Sequence, residues 1–191
     1  MYIAPIVLII GYIGETRIRF FELSKGQYRG KTFMNDEEKS YIAGFLDGDG
    51  SIMAQLVRRK GYKLGFQIRT SIVFYQKSNH QDFLLWLKKQ LDYGYIRHRK
   101  DGMTEYTIVG MEQVKNVLIL LHPFLHLKKE LARDVIKLIE LHPSKTKMTQ
   151  EKLVQLSYLV DKTALYNYSK KRTNVSSTVI AFLSESNKLS P

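Results

Sequence analysis

The sequence predicts an α+β domain in which helices pack on paired antiparallel strands, and three observations carry that prediction. Apolar residues recur at helical spacing through Tyr41, Ile42, Phe45 and Leu46, then switch to period two after Ser51. The same order, one helix and then two strands, returns from Ser78 onward. With 191 residues, 44% of them hydrophobic, the chain is long enough for one sizeable core with short additions at its ends.

Taken in order, Asn35 followed by Glu38 reads as a helix N-cap with its capping-box partner and predicts a helix over 36–47. Strands follow from Ser51. After a turn-like segment, Arg58 to Gly61, the alternation continues with Leu64, Phe66, Ile68, Ile72 and Phe74 on one face. The opposite face carries Gln55, Arg59, Gln67, Arg69 and Tyr75, an unusual set for a plain solvent surface. Ser78 or Asn79 is expected to cap a helix containing Phe83, Leu84, Leu87 and Leu91, and Gly94 to open a second strand pair over 95–99 and 104–109. Helices are expected over 112–121 and 128–141, with Pro143 ending the second. Thr149 is expected to cap a helix running to Tyr166, and a short helix over 176–183 follows a basic stretch. The two helix-strand-strand halves share too little residue-level similarity to form a sequence repeat.

Residues 1–33 stand apart. Tyr2 to Ile13 is apolar, but it lacks the charged start of a secretory signal and is too short to cross a bilayer, so no membrane partner is expected. Gly11, Gly14, Gly26 and Gly30 interrupt the rest of the segment. The expectation is a poorly ordered N-terminal extension, with an added edge strand as the alternative, ahead of one domain over 34–191.

Lys and Arg total 30 against 18 Asp and Glu, a formal net charge of +12, which favours a polyanionic partner and nucleic acid first. There is no cysteine, which excludes disulfides, thiolate zinc sites and cysteine nucleophiles; any metal must use oxygen or imidazole ligands. His122 and His126 have helical spacing, but Pro123 lies between them and no Glu completes a metalloprotease motif, so they read as structural.

The stretch with most chemical content is Ile42-Ala43-Gly44-Phe45-Leu46-Asp47-Gly48-Asp49-Gly50. Gly44 and Gly48 fall on one helical face, at a cost of about 1 kcal/mol each in a helix interior, which close packing of two such helices would offset. Asp49 is expected just past the helix C-terminus, where the dipole opposes its charge and a cation would relieve it. Two packed copies would bring two Asp49 carboxylates together, an arrangement suited to divalent metal. A calcium-binding EF-hand from Asp47 is excluded, because Ile52 and Arg58 stand where Gly and Glu are required.

This stretch resembles the signature of the LAGLIDADG homing endonucleases, and its single copy resembles their homodimeric, group I intron-encoded members, over residues 36–183. The resemblance implies an α+β fold whose curved antiparallel sheet forms a DNA-binding saddle, with two chains dimerised through Gly44, Phe45, Asp47 and Gly48. It implies a double-strand break in a long, pseudo-palindromic duplex site, with a staggered cut across the minor groove, promoting intron mobility. Mg²⁺ would be held by Asp49 and the Gly48 carbonyl, with Gln76 and Lys128 as further catalytic residues beside the scissile phosphates. DNA contacts are expected from Gln55, Arg59, Tyr62, Gln67, Arg69, Arg97, Arg99, Glu105 and Thr107, with Val57 and Val73 offering only apolar contact on the same face. Lys170, Lys171, Arg172 and Thr173 resemble the tail that touches the DNA backbone. The family suggests a chloroplast, with the mitochondrion as alternative. The alternatives to nuclease function are an RNA-binding maturase with intron RNA as partner and a catalytically inactive DNA-binding protein.

Overall fold

The computed structural model describes residues 12–13, 16–17, 34–143, 147–166 and 172–188, the first four and the last three by backbone alone. The chain divides into two units, residues 1–33 and 34–191. In the first, two short antiparallel strands, β1 (Tyr12–Ile13) and β2 (Thr16–Arg17), pair with each other. The rest of the expectation for residues 1–33 lies outside the described residues.

The second unit opens with helix α1 (Asp36–Asp49), and its start is set as the sequence predicts. The Asn35 side chain accepts the Glu38 N–H at 2.8 Å while Glu38 accepts the Asn35 N–H at 3.1 Å. The end differs: α1 runs through Asp49 and passes into strand β3 (Gly50–Arg58) with no connecting loop. A Cβ on Gly50 would lie 2.5 to 2.9 Å from Leu46, its backbone included, so only glycine allows this direct junction.

Strand β3 pairs with β4 (Phe66–Lys77), β4 with β6 (Met103–Val109), and β6 with β5 (Tyr95–His98), all antiparallel, in the order β3-β4-β6-β5. The register puts Ile52, Ala54, Leu56, Phe66, Ile68, Ile72, Phe74, Tyr106 and Ile108 on one face, all buried. Six helices cover that face: α1, α2 (Gln81–Leu91), α3 (Met111–Leu121), α4 (Lys129–Leu141), α5 (Gln150–Ala164) and α6 (Ser176–Lys188). Buried Tyr106 donates its hydroxyl to the Tyr93 carbonyl at 2.8 Å, which satisfies the one polar atom it brings into the core.

Two caps differ from expectation or confirm it. Ser78 to His80 form a single 3-10 turn, and no side chain caps α2, because the Ser78 hydroxyl meets Thr104 at 2.9 Å instead. Thr149 does cap α5, accepting the Lys152 N–H at 3.2 Å. Among the described residues no helix is long and apolar enough to cross a membrane.

Candidate active site and nucleic-acid interface

The end of α1 meets the start of α4, and each helix terminus supplies what the other lacks. The buried Asp47 carboxylate accepts the backbone N–H groups of His126 (2.7 Å), Leu127 (3.1 Å) and Lys128 (2.9 Å), just ahead of α4. A negative charge is favourable at a helix N-terminus. In return Lys128 donates its ammonium to the Asp47 carbonyl, in the last turn of α1, where helical partners run out. Asp47 therefore faces inward and is satisfied within its own chain. The expectation that it lies in a dimer contact is corrected, because a side chain committed to three buried N–H groups is not on the Gly44 face.

Asp49, two residues on, is exposed at the final position of α1 rather than beyond it. Lys128 lies within electrostatic reach of both carboxylates. Burial lowers its pKa from the ordinary lysine value, and the attraction of Asp47 and Asp49 opposes that shift. Gln76 stands half-buried near the end of β4, on the same face as Phe74. Phe74 pairs with Gly50, so Gln76 belongs to the end of the sheet where α1 enters it. The structure thus brings Asp49 and Lys128 together and places Gln76 at their end of the sheet.

Gly44 and Gly48 leave the outward side of α1 bare: a Cβ on either would meet nothing within 4 Å. Phe45 points elsewhere and is partly buried, stacked on Phe74 at 6.0 Å and edge-on to Phe83 at 4.7 Å. Beside the bare face, Tyr41 is 58% exposed and packs edge-on against Phe83 and Trp86. Among the described residues no three or more His, Cys, Asp or Glu are grouped to hold a metal.

The second face of the sheet carries most of the expected nucleic-acid contacts. Gln55 pairs with Arg69 across β3 and β4, both exposed, and half-buried Gln67 accepts from the exposed Arg59 at 3.2 Å. Tyr62 projects from the turn between the strands, 52% exposed. Arg97 and Arg99 are exposed but held: Glu105 accepts from Arg97 at 2.7 Å and from Arg99 at 3.1 Å, and Arg99 also reaches Asp101 at 2.6 Å. Glu105 and Thr107 are buried, which corrects their expectation as open contact residues, and so is Val73. All three sit on the two central strands, where neighbouring side chains on both sides cover them; Glu105 instead orients two arginines.

Arg172 also departs from expectation. Its guanidinium turns inward, donating to the carbonyls of Ala54 (3.1 Å) and Val160 (3.4 Å), and burial depresses its pKa against the pull of Asp161. It ties the chain after α5 to β3, so it is not free for the DNA backbone. Thr173 is exposed to an intermediate degree or more, and Lys170 and Lys171 lie outside the described residues.

These features match known proteins. The family model of the LAGLIDADG endonucleases matches residues 42–142, more than half of the chain. The chain is 38% identical over 163 residues to DNA endonuclease I-CreI of Chlamydomonas reinhardtii, a match covering 84% of this chain and 99% of that protein.

The protein belongs to the LAGLIDADG endonuclease family.

A second relative, DNA endonuclease I-CvuI of Chlorella vulgaris, is 37% identical over 149 residues, covering 78% of this chain and 91% of its own. The crystal structure of the homing endonuclease I-CvuI in complex with the I-CreI target, in the presence of Mg, superposes with a TM-score of 0.74 at 34% identity, covering 78% of this chain and 94% of that one. I-CvuI in complex with its own target, in the presence of Ca, gives the same values. The archaeal homing endonuclease I-Vdi141I complexed with DNA, at 16% identity and a TM-score of 0.71 over 80% of this chain and 98% of that one, supports the fold alone. Within this LAGLIDADG fold, three roles escaped sequence reasoning: the steric need for Gly50, the inward carboxylate of Asp47 and the inward guanidinium of Arg172. The Asp-Gly-Asp-Gly run signals the first; the other two depend on partners remote in sequence.

Proposed function

We propose that this LAGLIDADG protein is a Mg²⁺-dependent homing endonuclease that acts as a homodimer and cuts both strands of a long, pseudo-palindromic DNA site. The observation that carries this reading is the pairing of exposed Asp49 with Lys128 at the edge of a helix face left bare by Gly44 and Gly48. A second copy packed on that face would set two Asp49 carboxylates side by side. The adjoining Tyr41, Phe83 and Trp86 offer apolar surface for the same contact. The solved I-CvuI complexes contain target DNA with Mg or Ca.

The donors fit a hard divalent cation: an exposed carboxylate, and the Gly48 carbonyl in the last helical turn. Bound there, Mg²⁺ would supply an acidified water and neutralise charge on the phosphate. Lys128 holds a positive charge beside that position, suited to the charge that develops on a phosphate under attack. Gln76 offers both a donor and an acceptor with which to orient water. Residues 1–33 act as an extension to one nuclease domain over 34–191. The algal relatives favour a chloroplast as the place of action.

The test is cleavage of a randomised duplex library with and without Mg²⁺, sequencing the cut ends. One long, roughly palindromic site, cut only with the metal, is expected. Binding without cutting under both conditions would instead favour an inactive DNA-binding protein.

A further inference from the structure

The turn between β3 and β4 is a two-stranded projection, a shape that flexes unless something holds it. Its own backbone ties are few: Arg59 N–H to the Gly65 carbonyl, Tyr62 N–H to that of Arg59, and Gly65 N–H to that of Tyr62. Arg58 and Arg59, adjacent at the end of β3, leave the chain on opposite faces. Arg59 goes to the polar face and meets Gln67. Arg58 goes the other way, its guanidinium carbon 3.7 Å from the ring centre of Phe182 and 4.8 Å from that of Phe66.

Phe182 belongs to the C-terminal helix α6 and meets Phe66 edge-on, 5.8 Å between centres at 75°. The same ring fills the space beside Gly65: a Cβ there would fall 2.3 Å from Phe182 Cε1, and Gly65 has φ of +69°. One aromatic ring thus touches the end of β3, the start of β4 and the turn between them. Helix α6 is itself fixed by buried Val179 and Leu183, and by the Ser176 N–H donated to Asp161 at 2.9 Å.

We propose that Arg58, gripped between Phe66 and Phe182, is a positioning residue that sets the angle of the 59–65 turn, so that Arg59, Tyr62 and Gln67 meet a duplex in one arrangement. A cation over ring faces is directional in a way that plain apolar burial is not. For its DNA the inference rests on the nuclease reading above; its mechanical part does not.

The experiment compares the full-length parent with Arg58→Met, Arg58→Lys and Phe182→Leu. In free protein, hydrogen exchange of the 59–65 backbone is expected to speed up in Arg58→Met and Phe182→Leu, with α1 and β6 unchanged and Arg58→Lys near the parent. On the duplex recovered from the library, Arg58→Met should raise KM by about tenfold at unchanged kcat, as loss of one well-placed cation–π contact and its ordering would do. Unchanged exchange in the turn, or faster exchange throughout the domain, would overturn the inference, as would a fall in kcat alone. If the parent cuts no duplex, the nuclease reading fails while the exchange result still decides whether Arg58 holds the turn.

Discussion

On the inward side of α1, Asp47 accepts three backbone N–H groups from the start of α4 while Lys128 donates back to the Asp47 carbonyl, and Gly50 lets the chain turn directly into the sheet. On the outward side, Gly44 and Gly48 present bare backbone and Asp49 stands exposed at the helix end. The contrast teaches that two carboxylates two residues apart have different work: one is satisfied inside the fold, and the other is left available. Substitutions on the inward side should therefore cost stability, and those on the outward side should cost assembly or chemistry.

The largest effect on stability is expected from Asp47→Ala. Leaving three buried donors and a helix N-terminus without their anion should cost about 3 kcal/mol, a drop of roughly 6–12 °C in Tm by calorimetry. Next is Gly44→Leu, which has open space in the single chain. It should leave the melting point of the monomer near the parent's while weakening the dimer about a hundredfold in sedimentation equilibrium, since bulk there parts the two helix backbones. Unchanged association would break the comparison on its outward side. Gly50→Ala should cost about 2 kcal/mol through collision with the Leu46 backbone, read by urea denaturation.

Much of this is legible in the sequence, for local reasons. The Asn35 and Glu38 cap lies within one turn, and the alternation of Ile52, Ala54 and Leu56 lies within one strand; both are visible without knowing what the chain folds onto. The sequence places the end of α1 two residues short because no residue separates helix from strand and Gly48 looks like a stop signal. Asp47 hides its role because its partners lie about eighty residues away. The alternation that marks Arg69 as exposed marks Val73 and Thr107 equally, yet the latter two are covered by neighbouring strands. Period two assigns a face, not how crowded that face is.

The smallest expected effect sharpens the site rather than the fold. Lys128 has its folded pKa lowered below the ordinary lysine value of 10.5, so its charged form is disfavoured in the native state. By linkage, this group detracts from stability at neutral pH, and that loss is relieved as pH rises through the lowered folded value. If its charge serves the phosphate, the cleavage rate should fall on the alkaline side below pH 10.5, and Lys128→Arg should move that limb upward. An alkaline limb unchanged in the arginine variant would remove Lys128 from the chemistry.

The most direct test of the contrast is the cleavage rate of Asp49→Asn on the duplex site selected by the parent, with protein and Mg²⁺ high enough that both proteins are bound. The exposed position predicts stability within about 0.5 kcal/mol of the parent, retained binding, and cleavage slowed by about a thousandfold or more. Cutting at the parent rate would contradict the assignment of Asp49 and, with it, the division of labour across α1.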